Sequence, residues 1–502
     1  MFLPALKNKS SFGKAQIVSF GGINRAMVWK AGELRESRGL SSSLYPSLSQ
    51  RESREKLLGY TAPTAIFGGD KLCVVDGTDF KYDGVTKGTV TAGKKLFAAI
   101  NTKIVIFPDK KYYDISADEF GDLGCKYTSG AGEISFTAGT VATTGTAFSF
   151  KAGDGVEISG CTNADNNKSA VIREISGDKK TLTFDDSIFT AGAETATVTI
   201  ERKIPTLETL CQRDNRIWGT EGATIYGCAL GDPTNFFVYD GVSTDSYAVA
   251  VGSAGKFTGC APYGSHICFF KEDKIHKLYG SKPSNYQLDT YDYCGVMEGS
   301  AGSLVTINET LYYHGRAGIY AYYGGAPELI SVKFGDRRYS EAYAGSEGEK
   351  YYVSLKNWNR WELMVFDPQN GIWLKDGDTK ATGFCKAGGE LYMLGSDGIY
   401  LFNSGEEDVD WMAELCPFTE NEEGKKTVSR LSLRLKLAGT LEVQISYDGR
   451  AFETVYTGHG DERFINIPIP IRRCDTFSIK LQGRGKCVIQ SLVRQVSVGS
   501  EA

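Results

Sequence analysis

A short aromatic-rich strand, a tight turn and a second strand recur along the first four hundred residues, and this recurrence limits the fold more than any single residue does. The clearest copies are Arg316-Ala317-Gly318-Ile319-Tyr320-Ala321-Tyr322 after Leu311-Tyr312-Tyr313-His314-Gly315, and Ser396-Asp397-Gly398-Ile399-Tyr400-Leu401-Phe402 after Leu391-Tyr392-Met393-Leu394. Fainter copies occupy residues 72–82, 104–113, 216–226, 267–279 and 363–374. One such hairpin cannot bury its own apolar face, so a β-unit repeated at this scale predicts a propeller or an array. The 59 glycines and the 53 tyrosines and phenylalanines of the 502-residue chain agree, since glycine punctuates turns and aromatics favour pleated strands.

Marking each unit by an apolar residue of its expected final strand gives Phe80, Tyr112, Ile225, Ile275, Ile319, Ile372 and Ile399, at intervals of 32, 113, 50, 44, 53 and 27 residues. Most intervals suit a blade of three or four short strands. The interval of 113 does not, and the excess holds short alternating strands of its own at 133–137, 147–150, 154–158, 170–175, 181–184 and 196–200. An insertion at a loop tip adds little closure entropy. Beyond residue 427 the strands lengthen and alternate strictly, as in Ser429-Arg430-Leu431-Ser432-Leu433-Arg434-Leu435-Lys436-Leu437, which places one face on a core and a basic face in solvent.

The expected organisation is therefore all-β. An N-terminal arm at 1–60 precedes a first part of a β-propeller at 61–120, an inserted small β-barrel or β-sandwich at 121–203, the rest of the propeller at 204–405, and a C-terminal β-sandwich at 406–502. About seven blades are expected, with six or eight open because 27 residues is short for four strands. A strand from the arm closing the last blade would remove an exposed edge. Between residues 24 and 58 the arm carries seven Lys or Arg against four Glu, which fits either a solvated segment wrapping the first blade or an arm reaching a neighbouring subunit, with Arg25, Trp29, Arg35, Arg38, Tyr45, Arg51 and Arg54, and Arg472 and Arg473 near the other end, as the expected subunit or adaptor contacts.

A net charge of −5 argues against a protein that grips nucleic acid through its phosphates. The twelve cysteines are scattered singly without metal spacing, as expected of reduced packing residues in a cytoplasmically folded chain. The first residues, Met1 to Lys7, lack the basic start of a secretory signal, and no apolar run is long enough for a membrane span. His266, His276, His314 and His459 lie far apart, and Asn163-Ala164-Asp165-Asn166-Asn167-Lys168 and Asp185-Asp186 lack a calcium hand's oxygen spacing. No metal or cofactor site is expected. Neither a nucleophile elbow nor a phosphate loop is present. Glycosidase chemistry needs two carboxylates at a set separation, and Asp273, Glu362, Asp367 and Asp376 at strand ends offer no marked pair. Ser446-Tyr447-Asp448-Gly449-Arg450-Ala451-Phe452 occurs once and reads as an Asp-Gly hairpin. Tyr320, Tyr322, Tyr323, Tyr351 and Tyr352 could stack sugars but are expected to fill space between blades.

Three stretches carry a resemblance. Gly21-Gly22-Ile23-Asn24, Gly32-Glu33-Leu34 and Leu40-Ser41-Ser42-Ser43-Leu44-Tyr45-Pro46-Ser47-Leu48-Ser49-Gln50-Arg51, together with Ile467-Pro468-Ile469-Pro470-Ile471-Arg472-Arg473-Cys474-Asp475 and the closing Val498-Gly499-Ser500, resemble β-propeller structural proteins of bacteriophages, related to the tail nozzle and head-stabilisation proteins of short-tailed phages. The insertion, from Gly153-Asp154-Gly155-Val156-Glu157-Ile158 to Asn166-Asn167-Lys168, resembles small β-domains of phage tail proteins. Gly39 stands where this group usually has Asn. The resemblance implies a non-enzymatic virion tail subunit assembled in the host cytoplasm. It would form a homo-oligomeric ring, commonly six-fold, below the portal and its adaptor, with DNA passing through without specific binding. The sequence alternative is a carbohydrate-binding or carbohydrate-cleaving propeller, an adhesin or lyase, at the host surface.

Overall fold

The computed structural model describes residues 11–421 and 424–498. Met1 to Lys7, Glu422, Glu423, Gly499 and Ser500 lie outside them. The chain is all-β: a β-propeller with an inserted β-sandwich and a C-terminal β-sandwich. Two compact units are distinguished, one holding the residues up to 60, Val305–Tyr322 and everything from 328 onward, the other Thr61–Leu304 and Tyr323–Pro327.

The second unit contains four blades, each a four-stranded antiparallel sheet in chain order. Blade 1 is Pro63–Phe67, Cys73–Asp76, Asp79–Tyr82 and Val85–Thr89; blade 2 is Leu96–Ile100, Lys103–Phe107, Lys111–Asp114 and Glu119–Asp122. Blade 3 is Thr209–Arg213, Arg216–Glu221, Thr224–Gly227 and Tyr247–Ala250; blade 4 is Gly259–Tyr263, His266–Phe270, Ile275–Tyr279 and Gln287–Tyr291. The middle strands are buried on both faces, as His266–Phe270 is throughout, and so read as continuous apolar runs.

The first unit contains blade 5 (Val305–Ile307, Thr310–Gly315, Gly318–Tyr322, Glu328–Leu329), blade 6 (Glu341–Glu347, Lys350–Asn357, Arg360–Asp367, Ile372–Gly377) and blade 7. Blade 7 has three strands of its own, Ala381–Ala387, Glu390–Gly395 and Ile399–Gly405; the fourth is Ser53–Lys56 from the N-terminal segment, antiparallel to Ile399–Gly405. There are thus seven blades among the described residues. Six of the seven sequence markers sit on a third strand rather than a final one, and only Ile372 lies on a fourth. The outer strands escaped the repeat because they are polar and exposed, as the Gln287–Tyr291 strand is.

The insertion is two sheets, one of Cys125–Thr128, Thr199–Arg202, Gly155–Ser159 and Ser169–Val171, the other of Glu174–Ile175, Thr181–Thr183, Thr140–Thr143, Ile134–Phe136 and Gly192–Ala193. They share a core of their own that includes Phe136, Phe148, Val156, Leu182, Phe184 and Val198. Residues 147–150, expected as a strand, form none; their Phe148 and Phe150 are buried from a loop, where periodicity mimics a strand. Asp154, fully buried, accepts from Arg202 at 2.6 Å and from Asn235 of blade 3 at 3.1 Å, which ties the insertion, lying in the connection between blades 2 and 3, to the blade that follows it.

The C-terminal sandwich is built on two 22-residue strands, Lys426–Tyr447 and Phe477–Val498, paired antiparallel along their length. Glu453–Pro468 flanks the first. A bulge at Arg434/Leu435 and the facing pair Gly439–Gly485 allow strands this long to curl. Gly439 has φ 153°, and a Cβ there would lie 2.1 Å from the Arg484 carbonyl oxygen. The segment expected as an N-terminal arm supplies strands to this sheet from residue 11 onward: Ser11–Ile17 pairs with Phe477–Val498, Leu34–Arg38 with Asp410–Leu415, and Leu48–Gln50 with Val488 and Ile489. Their side chains enter one continuous core with blades 5 and 6, from Phe20 and Leu34 through Trp373 and Trp411 to Leu433 and Ile479. Gly39, with φ 63°, has room for no Cβ, which would lie 2.1 Å from the Asp410 carbonyl oxygen.

Candidate functional site

Within the first unit the loop between Leu40–Ser41 and Leu48–Gln50, the Glu347 to Lys350 turn of blade 6 and the outer face of the C-terminal sandwich enclose an open groove of about 1460 Å³. Each wall follows from local sequence. The two short strands of the loop pair with each other, and Leu48 and Leu40 drop into the core; between them Ser42 is buried against the blade while Ser43 and Tyr45 are left at the surface. The Gln50 side chain accepts from the Cys487 backbone N–H at 2.8 Å and pins the loop to the sandwich. On the sandwich itself, alternation buries Leu433, Leu435 and Leu437 and turns Arg434 and Lys436 outward.

The blade wall is polar and ordered. The Ser42 hydroxyl donates to Asp367 at 2.6 Å, and the Asn370 amide donates to the same carboxylate at 2.9 Å. Burial alone would raise the Asp367 carboxyl; the Ser42 and Asn370 hydrogen bonds and the nearby Lys350 charge outweigh it and hold it below its usual range. Lys350 donates to Ser43 at 3.0 Å and to Ser41 at 3.3 Å, and burial lowers its ammonium below the usual lysine range, with Asp367 acting against that shift. Two aromatic rings face outward into the groove, Tyr45 (39% exposed) and Phe464 (57% exposed).

Most expected contact residues are engaged within the chain. Arg25, 9% exposed, lies between Glu36 at 2.9 Å and Glu362 at 3.2 Å, and Tyr339 donates to Glu362 at 2.8 Å while Arg337 pairs with it. Burial would raise the Glu362 carboxyl, but Arg25, Tyr339 and Arg337 bring it down to about 2. Trp29 donates to the Pro417 carbonyl at 2.8 Å and Arg35 to the Ala26 carbonyl at 3.2 Å. Arg51 and Arg54 pair with Asp376 at 3.3 and 2.9 Å, and Arg54 lies 4.1 Å over the Phe402 ring. Arg472 pairs with Glu453 at 2.6 Å. Arg38 and Arg473 are exposed, and of the nine only Tyr45 and Arg51 border the groove.

The other sequence candidates resolve locally. Glu362 and Asp376 are consumed in ion pairs, Asp273 is exposed in a turn, and Asp367 alone of the four carboxylates reaches the groove. Tyr322 and Tyr351 are fully buried, Tyr320 stacks on Tyr313, and Tyr323 is exposed. Asp448 caps the Asp475 and Thr476 backbone N–H groups at 2.7 and 3.0 Å. His266, His276 and His314 are buried, which lowers each to about 4. Among the described residues no group of three or more His, Cys, Asp or Glu could hold a metal ion, and no helix is long and apolar enough to cross a membrane. Sequence reasoning missed Arg434, Lys436, Phe464 and Lys486 as groove residues; their outward positions in an alternating strand were the available signal.

No protein-family description matches the chain, and no curated protein is similar to it in sequence. Solved structures similar to it include the phage phi92 endosialidase, at 10% identity and a TM-score of 0.24, covering 78% of this chain and 69% of that one. An exo-β-1,3-galactanase from Phanerochaete chrysosporium, determined with galactose, is 8% identical with a TM-score of 0.24 over 57% of this chain and 95% of its own. A dihydro-heme d1 dehydrogenase is 12% identical with a TM-score of 0.25 over 65% and 80%. The expectation of a non-enzymatic chain is corrected here, since the similar structures include an endosialidase and an exo-galactanase. At such TM-scores the likeness says nothing of this chain's own substrate.

Proposed function

We propose that this chain is a phage-tail β-propeller directed at carbohydrate, binding or cleaving a sugar chain laid in the groove of the first unit. The observation that carries the reading is the pairing, in one open groove, of outward aromatic rings at Tyr45 and Phe464 with ordered hydrogen-bonding groups at Ser42, Asp367 and Asn370. Sugars present apolar C–H faces to rings and hydroxyls to carboxylates and amides, and binding sites combine these two features. Whether the sugar chain is held or cut turns on the carboxylates of the groove, Asp367 among them.

The test is a polysaccharide panel presented to the purified chain, with product sizes followed by chromatography. Binding of at least one polysaccharide is expected, weakened roughly tenfold in Tyr45→Ala combined with Phe464→Ala, about 1.4 kcal/mol. Retention of nothing on the panel would end this reading.

A second reading, a ring-forming tail nozzle subunit below the portal and adaptor, draws on a different observation. Among the described residues Glu453–Pro468 pairs only with Lys426–Tyr447, which leaves a sixteen-residue edge open to another strand. Its check is the oligomeric state by negative-stain imaging, where rings are expected and uniform monomers count against it.

A further inference from the structure

We infer that the polysaccharide of this groove is acidic, its acid groups received by Arg434, Lys436 and Lys486 on the sandwich wall; this rests on the carbohydrate reading and adds the ligand's charge to it. The three cations share one solvent face, on which, among the described residues, Asp461, opposite Ala438, is the one carboxylate beside them that lines the groove. Arg434 and Lys436 are two residues apart on the Lys426–Tyr447 strand, and Lys486 stands opposite Ala438 on the neighbouring strand, diagonal to Lys436. Such positions lie about 7 Å apart along a strand and across a diagonal. Phe464 faces Arg434 directly across the next pair of strands, so a ring and a guanidinium are presented together.

The cations are also unspent. Other charges of this sheet are paired, as Arg472 is with Glu453 and Arg494 with Glu420, whereas among the described residues Arg434, Lys436 and Lys486 take part in no ion pair. Like charges held at this spacing repel, weakly in water and more strongly beside a low-dielectric wall, so a polyanion is the ligand that relieves them.

The opposite wall decides which polyanion. Asp367, kept ionised by Ser42 and Asn370, lines the blade side with Glu347 and Glu349, three carboxylates against the one ammonium of Lys350, which is engaged with Ser41 and Ser43. A nucleic acid strand carries a phosphate at every residue and few donors, so this wall repels it. An acidic sugar chain offers hydroxyl donors on one side and carboxylates on another, matching an acceptor wall and a cationic wall at once.

The experiment uses the full chain, isothermal titration, and four probes: polysialic acid, a polyuronate, neutral dextran and oligothymidine. Either acidic polysaccharide is expected to bind, with affinity falling between about 50 and 300 mM salt and lost by roughly tenfold or more in Lys436→Glu with Lys486→Glu. Lys436→Gln with Lys486→Gln, at exposed positions that leave the core alone, should lose less and unfold at the wild-type temperature, which separates charge from folding. Dextran bound as tightly as the acidic chains would overturn the acidic assignment while leaving the carbohydrate reading standing. No binding by any polysaccharide would overturn both. Oligothymidine bound as tightly as the acidic chains would overturn the inference in favour of a general polyanion patch.

Discussion

The insertion at 125–202 and the C-terminal sandwich are both β-modules added to a propeller, yet they are joined to it in opposite ways. The insertion keeps a private core, with Phe136, Phe148 and Phe184 at its centre, and touches blade 3 through polar ties such as Asp154 to Asn235. The sandwich has no private core. Its Leu433 and Ile479 belong to the same apolar cluster as Trp373 of blade 6 and Phe20 of the N-terminal segment. A module with its own core tolerates removal; one that shares its core carries the stability of everything it touches.

The sharpest way to break this contrast is deletion. Replacing residues 125–202 with a short glycine-rich linker should leave a soluble protein with a cooperative unfolding transition, whereas removing residues 477–498 should abolish folding of the first unit, because Ser11–Ile17, Leu48–Gln50, Asp410–Leu415 and Lys426–Tyr447 all pair with that strand. Circular dichroism and limited proteolysis report both. A folded first unit after the second deletion would refute the shared-core account.

Single cavities come next. Trp411→Ala and Phe148→Ala each remove a ring that is 1% exposed and should each cost about 3–5 kcal/mol. Calorimetry should place the two losses in different transitions, Phe148→Ala lowering a transition of the insertion alone and Trp411→Ala the main transition of the first unit. One transition shifted by both variants would merge the two regions.

The smallest expected effect is electrostatic. Glu362→Gln strips the carboxylate that Arg25 and Arg337 share and should cost about 3 kcal/mol at neutral pH. Because Arg25, Tyr339 and Arg337 bring the folded Glu362 carboxyl down to about 2 from its ordinary 4.5, its contribution is full above about 4.5 and disappears as pH falls toward 2. Wild-type stability measured by urea titration should therefore decline across that window, and the variant should decline less steeply. Equal slopes would mean that the charge cluster does not stabilise the first unit.

How far the sequence revealed this molecule depended on whether burial left a local pattern. Gly318-Ile319-Tyr320 and Gly398-Ile399-Tyr400 sit in blade hairpins as expected, since both faces of those strands are covered and the apolar run is unbroken. Lys426–Tyr447 was legible from its alternation. The N-terminal segment was not: Leu40–Ser41, Leu48–Gln50 and Ser53–Lys56 are two to four residues long, too short for any period, and Leu48–Gln50 and Ser53–Lys56 also pair with strands hundreds of residues away. Arg25 and Arg54 look like contact residues in a basic stretch because the Glu362 and Asp376 they neutralise are equally distant. The groove was hidden for the same reason. Tyr45 and Lys436 are both plain in the sequence, but only the folding of the chain brings them to one groove.

The borrowed strand of blade 7 has a consequence for synthesis. Ser53–Lys56 leaves the ribosome early, and the strand it pairs with, Ile399–Gly405, emerges only after six other blades have been translated. Closing so long a loop adds little to the equilibrium cost, because that cost grows only with the logarithm of length. It delays completion instead, and a distant pairing of this kind slows folding. Until blade 7 is complete the nascent chain displays an unpaired strand at each end of its repeat, so the interval between the first blade and the last is when this protein most needs protection from its neighbours.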